Sequence, residues 1–207
     1  LRQGIDCVTA LRGGETRMSD GLSDEAELVK LIRREFSDSF TVAVDGAPEG
    51  EPLGRSLEGE ITRLKAIQDS GADFLITRLC WDMDIFHGWL DGIRAAGITL
   101  PVMAGVAPVV DQAATIRTAL ATGGCAIPED LCRLLSDYWI YPNPFVKDPF
   151  DAEVERKRVQ FREAGMAYTA HQIWLYRQWG VDGIHLLTQN RAEDVPAIVR
   201  AARNSSF

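Results

Sequence analysis

Near the end of this chain an apolar run stops abruptly at a polar cluster that finishes on a fixed cation: GIHLL (183–187) leads straight into Thr188, Gln189, Asn190 and Arg191. In parallel α/β proteins ligands gather at the carboxyl ends of strands, so these four residues are expected at the mouth of a site. Arg191 has suitable chemistry, because a planar guanidinium can clamp a phosphate or carboxylate through two parallel N–H bonds. Its structural alternative is an ion pair with Glu193 or Asp194 at the entry to the last helix. Arg12 and Gly13 follow the run IDCVTAL in the same way, offering a cation beside a backbone that can approach a ligand closely. Arg78 ends FLIT and cannot be buried unpaired. It needs an anionic ligand or an acid, and Asp82 is the expected acid.

Other chemically capable side chains read as structural. His185 lies within the last run and is expected to be a packed, hydrogen-bonded core residue rather than a general acid or base. His87 and His171 fall on helical segments without metal-ligand spacing to any acid or cysteine. Cys7, Cys80, Cys125 and Cys132 form no CxxC pair and are expected as reduced, mostly buried thiols. No metal is expected.

These residues need elements to position them. Apolar runs at 5–11, 40–44, 74–79, 100–107 and 183–188 read as strands, the first of them buried. Helix-period segments at 24–36, 57–70, 84–96, 111–122, 128–138, 151–179 and 195–203 separate or follow them. Ser23 is the expected N-cap of the first helix, Gly71 and Gly97 are expected stops, and Gly165 is a point where the long helix can bend. Strands joined through helices run parallel, which leaves an open doubly wound sheet or a (β/α) barrel. Neither a GxGxxG after the first strand nor a GxxxxGK[ST] is present. A closed barrel needs eight strands and about 250 residues. The five strands therefore read as strands 4–8 of a (β/α)8 TIM barrel, a single domain over residues 1–207 whose first three units lie outside this sequence.

Composition narrows the partners. A formal net charge of -8, with 22 basic residues scattered among 30 acids, argues against a nucleic-acid or anionic-membrane surface. No apolar run approaches the ~20 residues of a membrane span, and no signal peptide opens the sequence, so a cytoplasmic protein acting on a small molecule is expected. The segment 139–150 carries three prolines and four large aromatics. It reads as a loop packed on neighbouring helices, with a lid or a subunit contact as the alternatives.

Five collinear segments, QGIDCVTALRGG, IQDSGADFLITRLCWD, PVMAGVAPV, AGMAYTAHQI and GVDGIHLLTQNRAE, resemble the later strands of the methylenetetrahydrofolate reductase family. The resemblance implies a barrel that binds FAD at its strand ends. It also implies passage of a hydride from NAD(P)H through the flavin to methylenetetrahydrofolate, an oxidoreductase step of one-carbon metabolism and methionine biosynthesis. By the same resemblance Arg12, Gly13, Gly14, Glu60 and Lys65 would meet the cofactor, while Arg78, Gln112 and Arg191 would meet a folate-like or acidic substrate.

Several positions depart from the family pattern. Gly14 stands where ALRGD ends in aspartate, with Glu15 the nearest acid, and Arg78 replaces the glutamine of ITQ. Ile67 replaces a lysine that meets the FAD phosphates, Gln112 an aromatic that packs on folate, and Leu187 the tyrosine of HFYTLNR. The family's general-acid glutamate lies on its first strand and has no counterpart here. Two alternatives follow: a regulatory subunit of the same fold acting with a partner or a second copy, or a flavin barrel that takes a different acidic substrate.

Overall fold

The computed structural model describes residues 4–11, 24–50, 56–121, 125–139, 152–190 and 192–204. Five strands, β1 (Cys7–Ala10), β2 (Thr41–Gly46), β3 (Phe74–Thr77), β4 (Val102–Val106) and β5 (Gly183–Leu186), form one parallel sheet in the order β1-β2-β3-β4-β5. The helices are α1 (Glu25–Phe36), α2 (Leu57–Asp69), α3 (Met83–Ala95), α4 (Gln112–Leu120), α5 (Glu129–Asp137), α6 (Ala152–Gln178) and α7 (Val195–Asn204). A doubly wound sheet reverses its strand order at a switch point; here the order follows the chain throughout, as consecutive staves of a barrel do.

Alternation along the strands decides which face the helices cover. Val42, Val44, Leu75, Val102, Ala104 and Val106 share one core with Val29 of α1, Leu64 and Ile67 of α2, Phe86, Trp89 and Ile93 of α3, Ile173 and Tyr176 of α6, and Ile198 of α7. The intervening residues, among them Ala43, Asp45, Ile76, Met103 and His185, therefore lie on the face turned away from that core.

Local chemistry explains the helix ends. Asp24, not Ser23, caps α1: its carboxylate accepts the Glu27 N–H at 2.9 Å. Acids in the first turn and Arg33 and Arg34 in the last suit the helix dipole. Asp82 caps α3 and Asp111 caps α4 in the same way. Gly71 and Gly97 follow their helices at φ +95 and +78, the left-handed geometry that glycine adopts without a Cβ penalty.

Gly165 has a different task from the one its sequence context suggests. Helix α6 runs unbroken through it, and a Cβ at that position would collide with the Val109 carbonyl oxygen. The glycine lets the loop after β4 press against the helix.

At the amino ends of the strands Arg33 acts as a clamp. Its guanidinium donates to the carbonyls of Gly71 (2.8 Å), Ser37 (3.2 Å) and Phe40 (2.8 Å) and pairs with Asp73. Asp73 in turn accepts the Val42 N–H at 2.6 Å, which fixes the start of β2.

Strands β1 and β5 form the two edges of the sheet. Two expectations are corrected on the strand faces. In β1 only Ala10 is buried, and His185 in β5 is exposed rather than packed. The thiols divide evenly: Cys80 and Cys125 are buried, while Cys7 and Cys132 are exposed.

Candidate functional site

The carboxyl ends of the strands carry two chemically different regions. Over β2 and β3 lies an ionic corner. Asp45 and Arg78 occupy the same face of neighbouring strands: Asp45 pairs in register with Ile76, and the Arg78 N–H extends the ladder by donating to the Gly46 carbonyl at 2.8 Å. A long side chain two residues beyond its cross-strand partner can reach back diagonally. Arg78 does so, and its Nε meets Asp45 Oδ2 at 2.8 Å. Asp82, the acid expected to satisfy Arg78, is instead occupied in capping α3.

Behind this pair sits Arg63, which arrives from α2 with its side chain 9% exposed. It donates through Nε and Nη2 to both oxygens of Glu60 at 2.9 Å and to the Asp45 carbonyl at 2.8 Å. Asp45 Oδ1 lies 3.3 Å and Glu25 Oε1 3.5 Å from Nη1. Glu60 also accepts the Ala47 N–H at 2.9 Å, joining the helix to the end of β2. Burial works against the Arg63 charge, but the hydrogen bond and field of Glu60, with Asp45 and Glu25, outweigh it, so its pKa rises above the ordinary value. Three carboxylates face two guanidiniums, which leaves one negative charge on these five residues.

The second region is an open cleft at the ends of β4 and β5. Its lining combines apolar surface from Trp81 and Ala107 with the hydroxyls of Thr115, Thr118 and Thr188 and the amide of Gln189. Gln189 and Asn190 both take positive φ, 50 and 64, which turns the backbone sharply as it leaves β5. Gln189 Nε2 donates to Thr118 Oγ1 at 3.2 Å, so the strand-end turn is tied to α4 across the opening. Asp194 at the rim is held by Arg162 of α6.

Between the two regions lies a buried seam. Gln172 and Tyr176 of α6 both donate to the Cys80 carbonyl, at 2.9 and 3.2 Å. Burial, reinforced by the nearby Glu49 carboxylate, raises the Cys80 thiol well above its ordinary range and pushes Cys125 up to about 12. Burial, with Asp130 adding to it, also raises the Tyr168 phenol. These groups stay protonated and act as packing and hydrogen-bonding elements, not nucleophiles.

The residues expected at a site are thus only partly brought together. Glu60 and Arg78 join the ionic corner through Asp45 and Arg63, two residues that had not been singled out. Asp45 carried a usable signal, since an acid directly after FTVAV is a charge at a strand end just as Arg78 is. Lys65 belongs elsewhere. Five residues beyond Glu60, it lies ~7 Å further down the helix by the helical rise. It is exposed, and its ammonium faces Gly97 at the amino-end pole. Gln112 is buried at the start of α4, and its amide donates to the Leu135 and Tyr138 carbonyls at 2.9 and 3.3 Å, tying α4 to the end of α5. Arg12, Gly13, Gly14 and Arg191 lie outside the described residues, as does nearly all of the segment 139–150. Among the described residues no group of three or more His, Cys, Asp or Glu could hold a metal ion. Among them, too, no helix is long and apolar enough to cross a membrane.

The profile of methylenetetrahydrofolate reductase matches residues 1–203. The chain belongs to the methylenetetrahydrofolate reductase family. Methylenetetrahydrofolate reductase 1 of Schizosaccharomyces pombe is 35% identical over 126 residues, covering 58% of this chain and 21% of the relative. The 5,10-methylenetetrahydrofolate reductase of Escherichia coli is 26% identical over 190 residues, covering 92% of this chain and 58% of the relative. The chain therefore spans less than two thirds of either relative. Among solved structures, an uncharacterized protein from Clostridium thermocellum that binds two copies of 5-methyl-5,6,7,8-tetrahydrofolic acid superposes with a TM-score of 0.55. That superposition covers 97% of this chain and 64% of the other at 15% identity, a likeness of fold alone.

Proposed function

We propose that this chain forms strands 4–8 of a (β/α)8 barrel in a flavin-dependent oxidoreductase that passes a hydride from NAD(P)H, through FAD, to methylenetetrahydrofolate. The observation that carries the reading is the family match over residues 1–203, on a sheet whose strand order follows the chain.

The chemistry of the strand ends bears on how a flavin dinucleotide would be held. The hydroxyls and amide of Thr115, Thr118, Thr188 and Gln189 suit its uncharged, hydrogen-bonding parts and those of a pterin. Its pyrophosphate needs cations, and Arg63 and Arg78 already face carboxylates. The reading therefore gives the phosphate charge to Arg12 and Arg191, with the backbone of Gly13 and Gly14 alongside. Glu60 contributes by holding Arg63 and the end of β2 in place. When bound, the flavin supplies the hydride chemistry; this chain supplies orientation, polar contacts and exclusion of water.

A charge on Arg78 already met by Asp45 favours a folate over a small acidic substrate, because the carboxylate an acidic ligand would bring is present in the protein. The test is purification of the full-length protein, identification of released flavin, and assay of NAD(P)H-dependent methylenetetrahydrofolate reduction. Bound FAD with turnover is expected. A colourless protein that shows no thermal shift with FAD overturns the reading.

A further inference from the structure

We propose that Thr169 and Gln172 are positioning residues: from one face of α6 they set the two loops that wall the cleft, so that a ligand there meets Trp81 and the segment 107–111 at a spacing fixed by the helix. The proposal rests on the function proposed above for the identity of the ligand. It adds to that reading two residues that act from behind the cleft.

Both loops run on past the sheet. β3 ends at Thr77 and β4 at Val106, so the buried backbone at Cys80 and Val109 lies beyond the ladder and needs other partners. Helix α6 supplies them. Thr169 Oγ1 accepts the Val109 N–H at 3.0 Å and donates to the Gly165 carbonyl at 2.8 Å, while the Val109 carbonyl rests against Gly165. Gln172 Nε2 donates to the Cys80 carbonyl at 2.9 Å and to Tyr176 Oη at 3.0 Å, and Tyr176 adds its own bond to the same carbonyl at 3.2 Å. Tyr168 contributes a further tie, from its phenol to the Trp81 carbonyl at 3.3 Å.

Spacing makes one device of these residues. Positions 165, 169, 172 and 176 fall at i, i+4, i+7 and i+11, a single stripe down one helix face. What the stripe holds is the cleft wall: Trp81 follows Cys80, Pro108 and Val110 flank Val109, and all three line the opening. One rigid element thus carries both walls, and its rise separates the two anchoring side chains by ~4.5 Å along the axis. The chemistry of each anchor fits the backbone it meets. A hydroxyl accepts and donates at once, so Thr169 serves an N–H and a carbonyl together. A valine of the same shape could pack in its place but would leave the Val109 N–H buried without a partner.

The test separates setting the cleft from merely holding the fold. The full-length protein and its T169V, T169S, Q172M and V29A variants are compared by thermal unfolding. At a temperature where each is folded, they are then titrated calorimetrically with FAD and with 5-methyltetrahydrofolate. T169V keeps the β-branched shape and loses the hydroxyl, and T169S keeps the hydroxyl. Val29 of α1 lies in the main core, so V29A lowers stability without touching either loop. The expected result is that T169V and Q172M bind the titrant taken up by the native protein about fivefold or more weakly, the scale of a lost hydrogen bond. T169S binds within twofold of the native protein, and V29A binds as the native protein does although it unfolds at lower temperature.

A T169V or Q172M variant that binds within twofold of the native protein overturns the proposal and leaves the stripe a packing device. A loss of affinity that V29A shares also overturns it, because binding then follows stability alone, as does a T169S variant no better than T169V. In each of these cases uptake of FAD or 5-methyltetrahydrofolate by the native protein leaves the proposed function standing. Native protein that binds neither titrant sinks the proposed function and this inference with it.

Discussion

The ends of β2 and β3 and the ends of β4 and β5 occupy equivalent places in the sheet, yet one is held by charge and the other by shape. In the ionic corner Arg63 meets Glu25, Asp45 and Glu60 within 3.5 Å, and the geometry is fixed by ions that cannot be removed singly. In the cleft one amide-to-hydroxyl bond at 3.2 Å spans the opening, and the close approach of Val109 to Gly165 sets the wall behind it. Equivalent positions on repeated βα units can thus divide the labour. A charged corner resists change and suits positioning, while a cleft spanned by one uncharged bond has more freedom to adapt.

The largest expected effect breaks the corner. Arg63→Met leaves buried carboxylates with no cation behind them and should cost about 3–5 kcal/mol in denaturant unfolding. A loss below about 1 kcal/mol would mean that water already screens the group. Next comes the cleft wall. Gly165→Ala puts a methyl where the Val109 carbonyl stands and should cost about 1–3 kcal/mol, the usual range for overpacking. Its companion Gly88→Ala, with nothing within 4 Å of the new Cβ, should be neutral or slightly stabilising through helix propensity.

A pH titration tests the seam. The Cys125 thiol is raised in the folded protein from 9.0 to about 12, and Cys80 is raised in the same direction. The native state therefore holds these protons more tightly than the unfolded chain does. Their contribution is fully present below pH 9.0 and is lost as pH climbs towards about 12. Urea midpoints should fall across that window, and a C80A/C125A variant should fall less. A disulfide reagent should modify the exposed Cys7 and Cys132 quickly and the buried pair only on unfolding. The smallest effect belongs to the cleft: Thr118→Val removes the exposed bond from Gln189 and the hydroxyl's bond to the Ala114 carbonyl of its own helix, and should change stability by about 1 kcal/mol or less. An equal loss for Thr118→Val and Arg63→Met would erase the contrast between the two regions.

The alternation of strands and helices was legible because buried strands and amphipathic helices have different periods, and glycine stops such as Gly71 mark their ends. Partnership was not legible in the same way. Asp45 and Arg78 lie 33 residues apart, and only the register that sets Asp45 opposite Ile76 brings them together. A sequence neighbour, Asp82, was the natural candidate, but its place at a helix start commits it to two backbone N–H groups. Direction along a helix was equally hidden. Glu60 and Lys65 share α2, and their spacing carries one to each pole. His185 reads as a core residue in an apolar run, but alternation turns it to the face away from the helices, which Ile184 and Leu186 pack against.

Arg33 and Arg63 clamp one stretch of chain from opposite poles. Arg33 ties the end of α1, the start of β2 and the turn before β3, while Arg63 ties α1, the end of β2 and α2. Opening either end of β2 loosens one of the two arginines. Slow hydrogen exchange should therefore report α1, β2 and α2 as a single opening unit with one common protection energy.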